Sequence, residues 1–180
     1  MNSRARILLV SSNLWYLAEG LFGPLLAVFA GQVGGNVLDI SFAWAIFLAV
    51  SGVMNIVVGR LSDTYSKEKI LVAGYALNTL VLFGYIFVTN PMQLFFAEAL
   101  LGVAAAMASP TWYSLFAKFE TKHSSGKEWG LVTGQAQIAT AVAMVVGGYI
   151  VTYFSFTALF VLMGSIQLVA TFYQAKILVK

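Results

Sequence analysis

Long apolar runs alternate with short polar clusters along the whole chain. The runs predict six helices at about 7–30, 37–58, 69–89, 92–117, 128–151 and 155–176. A helix needs about 20 mostly apolar residues, at a rise of about 1.5 Å each, to cross the hydrocarbon of a bilayer. All six runs meet that length, and the first and fourth exceed it enough to tilt or kink. The two-residue alternation of a transmembrane β-barrel is absent. The breaks between runs carry turn chemistry. Residues 31–36 hold Gly31, Gly34 and Gly35, Thr89-Asn90-Pro91 places proline at a helix's first position, and Thr152–Ser155 is a tight link. The longest connection, Phe119–Lys127, is polar. No linker separates two soluble domains, and one six-helix domain over residues 1–180 is expected.

Composition supports this reading. The chain is 60% apolar and 9% charged, where a soluble domain has about 45–50% and about 25%. The expected class is an all-α membrane protein. There is no cysteine, which excludes disulfides, thiolate metal sites and a cysteine nucleophile. The net charge of +3 follows from topology rather than from nucleic-acid binding. Arg4 and Arg6 precede the first helix, and Arg60, Lys67 and Lys69 follow the second. Lys118, Lys122 and Lys127 follow the fourth, and Lys176 and Lys180 close the sixth. All ten basic residues thus fall on one side of a six-helix arrangement. The positive-inside rule then predicts a multi-pass protein of the cytoplasmic membrane with both termini in the cytoplasm. A cleaved leader ending near Val28-Phe29-Ala30 competes for the first run, but Glu19 interrupts it and the run is too long for such a leader.

Few residues are able to carry chemistry. Away from the first turns, where Asp39 and Glu128 lie, only two acids fall within the predicted helices, Glu19 and Glu98. A carboxylate at the bilayer centre costs about 2.5–3.5 kcal/mol, so it faces protein or water and marks a pathway. Glu19 lies about twelve residues, or roughly 18 Å, into the first helix, which is near the midplane. Glu98 lies closer to the outer surface. At about 100° per residue, Ser12, Asn13, Tyr16, Glu19, Gly20, Gly23, Pro24 and Ala27 share one arc, opposite Leu14, Leu17, Leu21, Leu25 and Val28. Such a face either packs helices through small residues or walls a cavity with a protonatable carboxyl, and the cavity is the expectation here. Gln137 and Thr140 share a face of the fifth helix, which Gln135 does not. Asn55 and Asn78 read as lone amides bonding between helices, and His123 as a solvated loop residue. No metal spacing, phosphate loop or nucleophile elbow is present, so no cofactor, metal or enzymatic activity is expected.

Three stretches carry a resemblance. Gly59-Arg60-Leu61-Ser62-Asp63-Thr64-Tyr65-Ser66-Lys67-Glu68-Lys69 resembles the loop after the second helix of the major facilitator superfamily, Gly-x-x-x-Asp-x-x-Gly with basic residues following, and Ser66 stands in place of the second glycine. Glu98 and Gly102 resemble the fourth-helix motif, with Glu98 in the place of its arginine. Ala143–Gly148 resembles the end of the antiporter motif, without its proline and first glycine. The resemblance implies one half of a twelve-helix secondary transporter, whose halves are related by an axis along the membrane normal. It further implies a homodimer that moves a small solute by alternating access. The polar positions read from helical spacing, Glu19, Asn13, Tyr16 and Gln137, together with Glu98, are the expected substrate- or proton-binding groups, with a hydrogen bond near the outer rim as the alternative for Glu98. Gly59, Arg60, Asp63, Lys67 and Lys69 would form a cytoplasmic gating loop held at the lipid headgroups. A non-transporting assembly subunit, and one half of a heterodimer or of a longer chain, are the alternatives. Because the natural chain has no thiol, single cysteines report the topology. Cysteines at Lys67 and Lys127 are expected to react only from the cytoplasmic side of intact cells, and at Gly34 and Thr89 only from outside.

Overall fold

The computed structural model describes residues 3–120 and 125–179. Lys122 and Lys180, two residues of the charge pattern, and His123, read as a solvated loop residue, lie outside the described residues. Among the described residues six helices are long and apolar enough to cross a membrane, and no strand occurs. They are Ser3–Gln32, Val37–Thr64, Lys67–Phe87, Pro91–Phe119, Ser125–Tyr153 and Phe156–Leu178, here spans 1 to 6.

The polar clusters between the runs act as helix caps. Asn36 accepts from the amides of Leu38 and Asp39 at 2.8 and 3.1 Å, and Asp39 accepts in return from the Asn36 amide at 2.8 Å. This reciprocal box satisfies donors that the first turn of span 2 leaves open. Asn90 caps span 4 through the Gln93 amide at 3.0 Å, ahead of Pro91, and Ser155 caps span 6 through the Ala158 amide at 3.1 Å. Ser66 caps span 3 through the Lys69 amide at 3.4 Å. A glycine there has no side chain to offer, so the serine gains a cap where the resembled pattern has a flexible turn.

One element differs from expectation, and the kink expected in span 1 takes a definite form. The expected loop at 59–69 is mostly helix. Span 2 runs on to Thr64 and span 3 starts at Lys67, leaving only Tyr65 and Ser66 between them. At about 1.5 Å per residue a 28-residue helix outreaches hydrocarbon of about 30 Å, so its charged last turns emerge into water without unwinding. Span 1 is interrupted rather than continuous. An α-helix over Ser3–Gly20 gives way to a 3₁₀ turn at Gly23–Leu25 and a second helix at Leu26–Gln32. Pro24 brings no amide hydrogen to the turn, and Gly23 offers little resistance to it.

The spans pack out of chain order. Span 2 lies on span 4, span 4 on span 3, span 3 on span 6, span 6 on span 1 and span 1 on span 5, while spans 1 and 4 touch only lightly. Spans 2 and 5 are therefore flanks, and only 11% of the most apolar window of each is buried, against 39–44% for the rest. Glycines set the closest approaches. A Cβ on Gly102 would lie 2.8 Å from the Phe47 carbonyl oxygen and 3.1 Å from the Ser51 nitrogen, so span 4 meets the backbone of span 2 there. A Cβ on Gly20 would lie 3.0 Å from both Ala143 Cβ and Thr140 Cα, and one on Gly147 would run into the Leu21 carbonyl. Span 5 thus packs on span 1 where span 1 breaks. Gly130, Gly134 and Gly148 face open space. Gly102→Ala is expected to cost about 1–3 kcal/mol by overpacking and to lower the melting temperature in detergent, whereas Gly134→Ala should not lower it.

Candidate functional site

The interruption and glycine contacts fix how span 1 is rotated. Residues 13, 16 and 20 lie at helical spacing on the side of span 5. Asn13 Nδ2 donates to Gln135 Oε1 at 2.8 Å, Tyr16 turns toward an open cavity and Gly20 abuts Thr140 and Ala143. Residues 15, 19 and 22 lie one step round, on the side of span 3. Trp15 packs on Tyr75 with ring centroids 4.7 Å apart, Asn78 Nδ2 donates to Glu19 Oε1 at 2.8 Å, and Phe22 meets Tyr85 at 5.3 Å. The single polar arc read from the sequence is therefore two adjoining faces with different partners.

The cavity, of about 460 Å³, lies between spans 1, 4 and 5 in the half of the bundle nearer the basic residues. Its walls are mostly aromatic: Trp15, Tyr16, Tyr75, Trp112, Tyr113 and Trp129. Ser12, Ser109, Thr133, Gln137 and Thr140 supply hydroxyls and an amide, and among the described residues no Asp, Glu, Lys, Arg or His lines it. Toward the basic end Trp112 stacks on Phe116 at 4.9 Å, Trp129 closes edge-on against Phe116 at 4.9 Å, and the Trp112 indole donates to the Leu8 carbonyl at 3.2 Å. Glu120 holds the Trp129 indole through a hydrogen bond. A wall of this kind suits flat apolar or weakly polar molecules through ring stacking, oriented by a few hydrogen bonds.

Of the residues expected in the site, Tyr16 and Gln137 line this cavity, and Asn13, Glu19 and Glu98 do not. Asn13 ties spans 1 and 5 together beside it. Glu19, half-buried, turns to Asn78. Glu98 is 2% exposed and accepts from the Tyr85 hydroxyl at 2.7 Å. Asn78 is an amide bonding between helices, as expected, whereas among the described residues Asn55 meets only Ser51 of its own span, at 3.5 Å. The tryptophans escaped the sequence reading because apolar aromatic side chains in a membrane helix look like lipid-facing or core residues. The adjacent pairs Trp15-Tyr16 and Trp112-Tyr113, each with a ring that carries a hydrogen-bond donor, were the available signal.

At the gating stretch, Lys67 Nζ lies 3.4 Å from Asp63 Oδ1 and donates to the Ser62 carbonyl. The Asp63 side chain is 81% exposed, so this pair adds little stability. Arg60 and Lys69 are exposed and Gly59 has open space around it. The five residues sit together on the last turns of span 2 and the first turn of span 3.

A six-helix bundle with an open, aromatic cavity between its first, fourth and fifth spans has the architecture of a half-transporter. Residues 8–179 match the family model of the Major Facilitator Superfamily, and the chain belongs to that superfamily of transporters rather than to an enzyme family. It is similar to the multidrug resistance protein MdtG of Klebsiella pneumoniae (strain 342), at 26% identity over 171 residues, covering 93% of this chain and 42% of the relative. The MdtG proteins of Enterobacter lignolyticus (strain SCF1), 26% identical over 89% of this chain and 40% of the relative, and of Salmonella arizonae, 26% over 93% and 42%, are similar in the same way. The chain spans about two fifths of the length of these curated relatives.

Removing the amide that holds Glu19 tests the span 1–span 3 contact. Asn78→Leu is expected to cost about 1–3 kcal/mol by stranding a carboxyl oxygen. Glu19→Leu on top of it should cost less than the sum of the single changes, as read from a cycle of melting curves.

Proposed function

We propose that this chain is one half of a secondary transporter that binds a flat, aromatic, neutral or cationic solute in the cavity of spans 1, 4 and 5. The observation that carries the reading is the cavity itself, an aromatic pocket left open inside a bundle of the transporter superfamily. Its lack of acidic and basic lining disfavours a strongly anionic solute. The multidrug resistance proteins it is similar to span more than twice the matched length, and a second bundle completing this one accords with that difference. A second copy of the chain is the occupant proposed. Both ends of a six-span bundle lie on one side, so a two-fold axis along the membrane normal duplicates it without breaking the positive-inside rule. Spans 2 and 5 offer the apolar flanks for that contact, with Val53, Ile56 and Val57 on one and Ile138, Val142 and Val145 on the other exposed.

In this reading the two bundles rock against one another to expose the cavity alternately to each side. Exposed Asp63 meets the N-terminus of the partner's span 5 on the cytoplasmic side, where the helix dipole is positive. Arg60, Lys67 and Lys69 hold the stretch at the headgroups. Glu19, on the edge of span 1 that adjoins the cavity face, takes up and releases a proton as its contact with Asn78 opens and closes.

In proteoliposomes with an imposed pH gradient, accumulation of a fluorescent planar cation is expected in wild type and its dependence on the gradient is expected to disappear in Glu19→Gln. Trp112→Ala should weaken binding of the same probe by about 0.5–1.5 kcal/mol for a lost ring contact, seen as a higher half-saturation concentration. Asp63→Asn should raise leak toward the cytoplasmic side and leave binding of the probe intact. Single cysteines at Val53 and Val145 should give a crosslinked dimer in membranes. Crosslinking to a different protein would replace the homodimer with a mixed pair.

A further inference from the structure

Spans 4 and 5 are two walls of the cavity, yet among the described residues they make little backbone contact with each other. Each is held elsewhere, span 4 by spans 2 and 3, and span 5 by span 1. The glycine contacts that seat span 5 on span 1 fall at Thr140, Ala143 and Gly147, in the half of span 5 away from the basic residues. At the basic end spans 4 and 5 meet through side chains, and Trp129 is the centre of that meeting. Its ring lies 4.9 Å from Phe116 and 6.3 Å from each of Trp112 and Tyr113, all three on span 4. A residue of span 5 thus lies across the gap to span 4 and forms the cavity's wall at that end.

Ring contacts alone leave an indole several orientations. The Trp129 indole has one donor, Nε1, and Glu120 Oε2 accepts from it. A hydrogen bond to a charged acceptor is both stronger and more directional than a ring contact, so it selects the orientation. The same Glu120 oxygen accepts from the Ser125 hydroxyl at 3.1 Å. Glu120 is the residue that ends span 4, while Ser125 and Trp129 stand in the first two turns of span 5. One carboxylate therefore ties the end of one wall to the start of the other. Its own place is fixed from the other side: Phe119, next in the chain, lies 5.5 Å beneath the Arg4 guanidinium of span 1. Glu120 itself lines no part of the cavity.

We infer that Glu120 is a positioning residue: its carboxylate clasps the Trp129 indole across the gap between spans 4 and 5, and the clasp sets how fast a solute passes the basic end of the cavity. With the clasp made, the indole stays against Phe116 and the two walls stay together. With it broken, the indole is free to turn away from span 4. Span 5 then swings outward at its basic end, about the glycine contacts that hold its far half to span 1. Glu120 reaches no solute, so it acts on the rate of passage and not on affinity. Passage both ways speeds up together when the clasp is lost.

The role in passage rests on the solute reading above, whereas the clasp itself is tested without any solute. Ala117 and Lys127 are exposed on either side of the gap. Spin labels on cysteines at these two positions, in the full chain in bilayers, report the separation of the spans. Glu120→Ala and Trp129→Phe are each expected to lengthen and broaden that distance. The two together should lengthen it no further, because both remove one bond. Glu120→Gln, which keeps a carbonyl oxygen as acceptor, should restore the wild-type distance. An unchanged distance in Glu120→Ala, or in Trp129→Phe should the first variant fail to fold, would overturn the clasp. The second measurement is stopped-flow binding of ethidium, a planar fluorescent cation. Glu120→Ala is expected to raise its association and dissociation rates several-fold by the same factor, and Glu120→Gln to return both. Faster dissociation alone would make Glu120 a source of affinity and overturn its role in passage. Wild-type protein that binds no ethidium would count against the solute reading, and the label distances would still decide the clasp.

Discussion

The contact between span 1 and span 5 governs which neighbours the polar groups of span 1 meet. Gly20 and Gly147 let the two backbones meet where a side chain would hold them apart. That contact fixes the rotation of span 1. It turns Tyr16 toward the cavity and, one step round the helix, Trp15, Glu19 and Phe22 toward span 3. In hydrocarbon there is no hydrophobic drive to bring helices together, so close packing and the hydrogen bonds it permits decide the geometry. At about 100° per residue Tyr16 and Glu19 lie about 60° apart, so a rotation of about that size would carry one into the other's surroundings.

The result is a division of labour between two sides of one helix. The side toward span 5 borders a pocket of rings and hydroxyls without charge. The side toward spans 3 and 6 holds a carboxyl bonded to an amide, Glu19 with Asn78, and near it a phenol bonded to a second carboxyl, Tyr85 with Glu98. Solute recognition and charge handling in such a bundle need not share atoms. Each places a different demand on its surroundings: apolar area for the first, and polar partners for the second.

Much of this was legible in the sequence, for identifiable reasons. Span number and class followed from apolar run lengths, and the breaks at 31–36, 89–91 and 152–155 followed from turn residues, whereas the capping roles of Asn36, Asn90 and Ser155 were not read. The one-sided distribution of basic residues belongs to the sequence alone. The break in span 1 was suggested by Gly20, Gly23 and Pro24, though its 3₁₀ form was not. The direction of Glu19 was not legible, because a helical wheel gives angles between residues and says nothing of which neighbour occupies each angle. The extent of span 2 was missed because charge was equated with loop, when a charged helix end in water is equally stable. The cavity tryptophans were missed because an aromatic residue in a membrane helix has the same signature whether it faces lipid, core or ligand.

The order of packing also bears on how the chain assembles as it is made. Span 2 finds its main neighbour only when span 4 has entered the bilayer, and span 1 waits for spans 5 and 6. Glu19 enters the membrane two helices ahead of Asn78, the amide that will hold it. Until then span 1 carries an unshielded acid, and insertion machinery or a passing headgroup must shelter it. Pausing synthesis between the second and third spans therefore leaves the chain at its most vulnerable to removal by quality-control proteases.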